Sequence, residues 1–202
     1  MSIKRLNGAG LQTPKSIKVW DQTTLQNDYQ SIATVIVPSG GQASVSFTNI
    51  PQNFTNLKIH AVVRADPIGG SNATTIQLNG NRPAYTHYLY GAGSGTPASG
   101  GSTGATAGNV INTPNSANTI NVFGVGIIDI LNYTSNKNKT IRSIGGYDAT
   151  NAVGEIAQFS AIVTDTNPVT TITLFPQSTS GSTTYNWVEN TQFSLYGIKA
   201  AS

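Results

Sequence analysis

Leu57-Lys58-Ile59-His60-Ala61-Val62-Val63-Arg64 alternates side chains with a period of two. Leu57, Ile59, Ala61 and Val63 fall on one face, and Lys58, His60, Val62 and Arg64 on the other. That is the pattern of a strand with one face in a core and one toward water. Upstream, Ile32 to Val37 is a β-branched run ended by Pro38-Ser39-Gly40-Gly41, and Ala43 to Ile50 alternates until Pro51 stops it. A run, a turn cluster and a second run predict a hairpin. Downstream, Ala73 to Leu78 closes on Asn79-Gly80-Asn81, which has the chemistry of a tight turn. Ala84 to Tyr90 is a short aromatic run, and Thr119 to Leu131 is a long apolar one whose Gly124 and Gly126 mark a bulge or a close backbone approach. Thr140 to Gly146, Ile156 to Thr164, Val169 to Phe175 and Gln192 to Lys199 complete eight or nine predicted strands. No helical periodicity extends over ten residues; at most one short turn falls within residues 17–30. The expectation is an all-β, two-sheet antiparallel sandwich of jelly-roll-like topology.

Two segments stand outside this pattern. Residues 1–30 contain Gly8, Gly10 and Pro14 and read as an extended N-terminal arm, leaving 31–202 as the sandwich domain. Residues 91–108 are so rich in Gly, Ser and Thr that they read as a long surface loop, a natural place for contacts.

Charged residues make up only 9% of the 202, against about 25% in ordinary domains. Ser, Thr, Asn, Gln and 21 Gly replace them as the hydrated surface, a composition common among extracellular and virion β proteins. The net charge of +3 comes from 11 basic and 8 acidic residues spread thinly, with no basic stripe of the kind nucleic acid requires. Lys4, Arg5, Lys15 and Lys18 lie in the first 20 residues with no acid among them, so the arm suits an acidic surface on a partner or a phosphate. With no cysteine there is no disulfide or Cys-ligated zinc. No apolar run is long enough for a secretory signal or a membrane span, so the expectation is a chain made and kept soluble.

No catalytic pattern assembles. His60 and His87 are the only histidines, no G-x-S-x-G context surrounds a serine, and no ligand spacing announces a metal. His60 reads as a polar-face residue bonded to a neighbour. Asp148 and Glu155 are near enough in sequence to flank one loop, which keeps a glycoside hydrolase as the least favoured reading. No cofactor is expected. Tyr85, His87, Tyr88 and Tyr90 form an aromatic stretch that suits a glycan or a neighbouring subunit. In the arm, Ile17, Val19 and Trp20 supply an apolar anchor and Lys4 and Arg5 its charged part.

Several short motifs recur in order: Ser31 to Val35, Gly40-Gly41, Ser44 to Pro51, Leu57 to Ile59, Gln77 to Gly80 and Tyr88 to Gly91 before the Gly/Ser loop. Asp129 to Tyr133 before Asn136 to Lys139, and a closing Leu195-Tyr196-Gly197-Ile198-Lys199, complete the set. Through these the chain, from about residue 31 onward, resembles a family of small structural proteins of tailed phages, especially those of aquatic bacteria. The resemblance implies a virion component rather than a catalytic residue set. The favoured expectation is a capsid decoration or cement protein on the exterior of the particle. It would be a homo-oligomer, a trimer by preference, bound to the major capsid protein or other virion proteins, with no direct contact to nucleic acid or membrane. The alternative is a tail or fibre-associated module that binds a receptor glycan.

Overall fold

The computed structural model describes residues 28–66, 72–93, 95, 97–104, 108–115, 118, 120–149, 153–178 and 185–199. Among them lie twelve strands and no α-helix. In chain order the strands are β1 Tyr29–Ile36, β2 Val45–Phe47, β3 Asn56–Val63, β4 Asn72–Leu78, β5 Tyr85–Ala92 and β6 Ala98–Thr103. Then follow β7 Asn109–Thr113, β8 Gly124–Leu131, β9 Lys139–Ala149, β10 Val153–Val163, β11 Ile172–Ser178 and β12 Gln192–Ile198. They form an eight-stranded sheet in the order β1-β12-β3-β8-β9-β10-β5-β6 and a four-stranded sheet in the order β2-β11-β4-β7, antiparallel throughout.

The expected sandwich is present, and the strand order resolves its plan. With the hairpins β5–β6 and β9–β10 set aside, β1-β12-β3-β8 faces β2-β11-β4-β7, and the chain changes sheet at every connection except that from β4 to β7. Two four-stranded sheets joined this way make a jelly roll. The two extra hairpins add β9, β10, β5 and β6 beyond β8, so one sheet is twice as wide as the other.

The core fills the space between the paired halves. Leu57, Ile59, Ala61 and Val63 of β3 all point inward and are buried, as the alternation requires. Ile128 and Ile130, with Phe193 and Leu195, extend that layer. Val45, Phe47, Ile76, Leu78, Ile172 and Leu174 meet it from the smaller sheet. Trp187, in the segment before β12, sits edge-on to Phe193 with ring centroids 5.2 Å apart and is wholly buried. Each such side chain contributes roughly 1.5–3 kcal/mol through removal of apolar area from water.

Several local expectations change. The predicted hairpin of residues 32–50 does not form: β1 pairs with β12 in the large sheet and β2 with β11 in the small one. Gly40 and Gly41 take positive φ of 93° and 76°, which swings the chain out of the first sheet. Gln42 then pairs with Trp187 through reciprocal backbone bonds of 3.1 and 2.8 Å. Arg64 is buried instead of sharing the water-facing side with Lys58 and His60, because the alternation ends at Val63. Its guanidinium donates to the carbonyls of Val122 at 2.6 Å and Asn118 at 3.3 Å. The run at 119–131 enters its strand only at Gly124. Within it, Gly126 marks a close approach rather than a bulge: a Cβ there would collide with Ile111 of β7. The Asn79-Gly80 turn is as expected, with φ of 50° and 78°.

The segment 91–108 is not wholly a loop, since Ala98 to Thr103 is β6, paired to β5 along its length. The sandwich begins at Tyr29, two residues before its expected start. Residues 1–27 lie outside the described residues, and with them Lys4, Arg5, Ile17, Val19 and Trp20; of the span 17–30, where a short turn was expected, Tyr29 and Gln30 are strand.

Candidate functional site

The smaller sheet ends at β7, and β7 lies over β9 and β10. Beyond Thr86, which Gly108 covers, the inner faces of β5 and β6, with part of β10, have no strand opposite them among the described residues, and a cleft of about 270 Å³ opens there. Alternation decides what lines it. On β5, Tyr88 and Tyr90 point inward with ring centroids 5.9 Å apart and planes 40° apart. Phe159 of β10 lies 6.3 Å from the Tyr88 ring. Across β6, a Cβ on Gly100 would fall 2.5 Å from the Tyr88 hydroxyl, so the tyrosine lies over bare backbone.

The polar side of the cleft comes from the other sheet. Asn112 of β7 donates from Nδ2 to Glu155 Oε2 at 2.8 Å. Asn109 accepts through Oδ1 from Thr75 Oγ1 at 3.1 Å, which turns its amide nitrogen to the opening. Glu155 is half-buried, and burial raises its carboxyl above the usual carboxylate value, partly offset by the Asn112 bond. Tyr147, its cross-strand neighbour, is pushed up to about 12 by burial first and by the Glu155 charge second.

The other face of the large sheet is bare: among the described residues no element packs against it. Two cross-strand rows run over it, Leu89-Gln158-Ile144-Ile127-His60 and Gly91-Ile156-Gly146-Val125-Val62. Their apolar members are exposed, Ile156 by 62% and Val125 by 59%. Gly146 carries no side chain among them, so the strip is concave, a groove of about 680 Å³. Together these side chains expose on the order of 500 Å² of apolar surface, the size of patch that on single chains is usually functional. Polar residues flank the strip. On one side Arg142, Asp129 and Lys58 form a row, with Lys58 Nζ 3.2 Å from Asp129, and on the other side stands Asp148.

No family model, curated protein or solved structure matches the chain. The geometry of these two surfaces therefore carries the functional reading. The four aromatic-stretch residues are divided by the pleat: Tyr88 and Tyr90 enter the cleft, while Tyr85 and His87 lie on the outer face. Asp148 and Glu155 are divided likewise. They project from opposite faces of the sheet, because Glu155 pairs with Tyr147 rather than with Asp148, and so do not flank one ligand.

His60 sits on the outer face 3.3 Å from the Tyr29 hydroxyl, with Tyr29 stacked on Tyr196 at 4.8 Å. The wholly buried Lys139 donates to the carbonyls of Ser135, Lys137 and Asp165 at 2.7, 2.5 and 3.3 Å, tying down the β8–β9 turn; burial lowers its pKa. Among the described residues no three His, Asp or Glu side chains gather as a metal would need. Sequence reasoning missed Asn109 and Asn112. They lie in a strand with no periodic signal, and Asn112 meets Glu155 only because β7 crosses β10.

Proposed function

We propose that this chain is a non-enzymatic structural protein of a tailed-phage virion, a decoration or cement module that assembles by self-association through the outer face of its large sheet. The observation that carries the reading is the concave apolar strip of Val62, Val125, Ile127, Ile144 and Ile156 on a sheet face that no described element covers. The resemblance of its motif order to that of tailed-phage structural proteins supplies the setting.

The occupant is a second copy of the same face. Along β9 the outward positions run Arg142, Ile144, Gly146, Asp148. A two-fold axis between Ile144 and Gly146 brings each Arg142 against the Asp148 of the other copy. A self-complementary patch of this kind is what an isologous dimer requires. The apolar strip plus its polar rim approaches the roughly 800 Å² per partner of a stable interface. This charge arrangement favours a two-fold pair over the trimer expected of a decoration protein. Contact with the capsid lattice then falls to the arm, with Lys4, Arg5, Ile17, Val19 and Trp20 as its charged and apolar parts.

The test combines sedimentation and particle binding. Ile144→Asp places a charge in the middle of the strip and should give monomers with unchanged strand content. Removal of residues 1–20 should abolish binding to phage particles while leaving the pair intact. Loss of pairing on that truncation would assign the groove to the arm instead, and an Ile144→Asp protein that still pairs would remove the proposed interface.

A further inference from the structure

We propose that the cleft between β7 and the β10-β5-β6 end of the large sheet is a binding site for an uncharged saccharide, with Tyr88 and Tyr90 as its stacking surface and Glu155, Asn112 and Asn109 as its hydroxyl-reading groups. The site is separate from the outer face and does not depend on self-association.

The chemistry follows from what converges there. A sugar ring presents C–H groups on its faces and hydroxyls at its edge. It therefore needs an aromatic surface beside groups that both accept and donate. The tilted Tyr88 and Tyr90 rings provide the first. Glu155 provides acceptor lone pairs: Asn112 occupies Oε2, and among the described residues Oε1 has no hydrogen bond. The Asn109 amide nitrogen provides a donor, since its oxygen already accepts from Thr75. These are fixed before any ligand arrives, because Glu155 and Asn112 hold each other across the two sheets, Thr75 holds Asn109, and the remaining capacity of Glu155 and Asn109 is left for the opening.

Charge and size narrow the class. One carboxylate and no Lys or Arg line the cleft, which disfavours phosphates, uronic acids and other anions. At about 270 Å³ the cleft is at the small end of ligand pockets, near the ~300 Å³ lower bound, and takes one terminal sugar residue rather than a long chain. A cationic ligand is the main competitor, since aromatic rings with a carboxylate also suit quaternary ammonium. The two amides argue for hydroxyls, because an ammonium group has no use for the Asn109 donor.

Gly100 has a place in this account. It lets the Tyr88 ring lie against β6, so the glycines of the Gly/Ser segment shape the cleft instead of forming a free loop.

Isothermal titration of the full chain tests the proposal, with methyl glycosides of glucose, galactose, mannose and N-acetylglucosamine, with glucuronic acid, and with tetramethylammonium. At least one neutral glycoside should bind in the millimolar range, and glucuronic acid should bind more weakly than its neutral counterpart. Tyr90→Ala should weaken binding about tenfold, the loss expected for one aromatic contact. Glu155→Gln keeps the shape and the Asn112 contact, so its folding is secure, and it should weaken the neutral sugar while narrowing the discrimination against glucuronic acid. Absence of binding by every glycoside, binding of tetramethylammonium alone, or unchanged affinity in both variants would overturn the assignment.

Discussion

The jelly-roll strands and the four strands that widen the large sheet share a composition of short polar residues, glycine and β-branched side chains, yet they treat water differently. In the jelly roll, β3, β8 and β12 lay their inward side chains against a full opposing sheet, and nearly every one is buried. In the extension, among the described residues, β7 covers β9 and part of β10, Gly108 covers Thr86 of β5, and the rest of the inner faces of β5 and β6 lines the cleft. Aromatic side chains placed inward in the first region become core, as Phe193 does. Placed inward in the second, as Tyr88 and Tyr90 are, they become the wall of a cleft. Whether a strand supplies stability or a surface is thus decided by what the other sheet puts opposite it.

The largest difference should appear on truncating side chains in the two regions. Phe193→Ala should cost about 3–5 kcal/mol in urea unfolding, since it empties a fully packed site beside Trp187. Leu89→Ala, on the bare face of the extension and made in the monomeric Ile144→Asp chain, should change stability by less than about 0.5 kcal/mol. Similar losses at both positions would mean that the extension is packed by something that now goes uncounted.

An intermediate effect is expected where the regions join. Lys139→Met leaves three loop carbonyls without their donor and should cost about 1–3 kcal/mol, with the β8–β9 turn opening first in hydrogen exchange. Uniform protection in that variant would show that the ammonium does not tie the turn.

The smallest effect is a pH dependence. Glu155 has its folded value raised above the ordinary 4.5 by burial. For an acid so shifted, the stabilising contribution is complete below pH 4.5 and is lost as pH rises through the folded value. Glu155→Gln removes that titration. Its melting temperature should therefore gain on the wild type as pH rises past 4.5, and a difference that stays flat with pH would refute the burial described for this carboxyl.

The same contrast explains what could be read from the sequence. Leu57 to Val63 announced its strand because the two faces meet different media, and alternation records that difference. Ala98 to Thr103 did not: the inward positions of β6 face a cleft and the outward ones face water, so no apolar rhythm marks it. The β1–β2 crossing was hidden because Gly40-Gly41 serves a hairpin and a change of sheet equally well. Only the Gln42 pairing with Trp187, distant in sequence, decides between them. Part of the cleft was legible. The even-numbered Tyr88 and Tyr90 must share a face that Tyr85 and His87 cannot, and Glu155 was noticed as an acid. Asn109 and Asn112 were out of reach, since a contact between two sheets leaves no trace in local spacing. The outer strip was visible only in pieces, because Val62, Ile127, Ile144 and Ile156 belong to four strands and become contiguous through register alone.

The claim that the bare face is a two-fold interface is tested most directly by a charge swap followed by sedimentation equilibrium. The wild-type chain should sediment as a dimer. Arg142→Asp, which sets two acids against each other across the axis, should sediment as a monomer, and the double change Arg142→Asp with Asp148→Arg should restore the dimer. A wild-type monomer, or a double variant that fails to recover what the single change lost, would contradict the account.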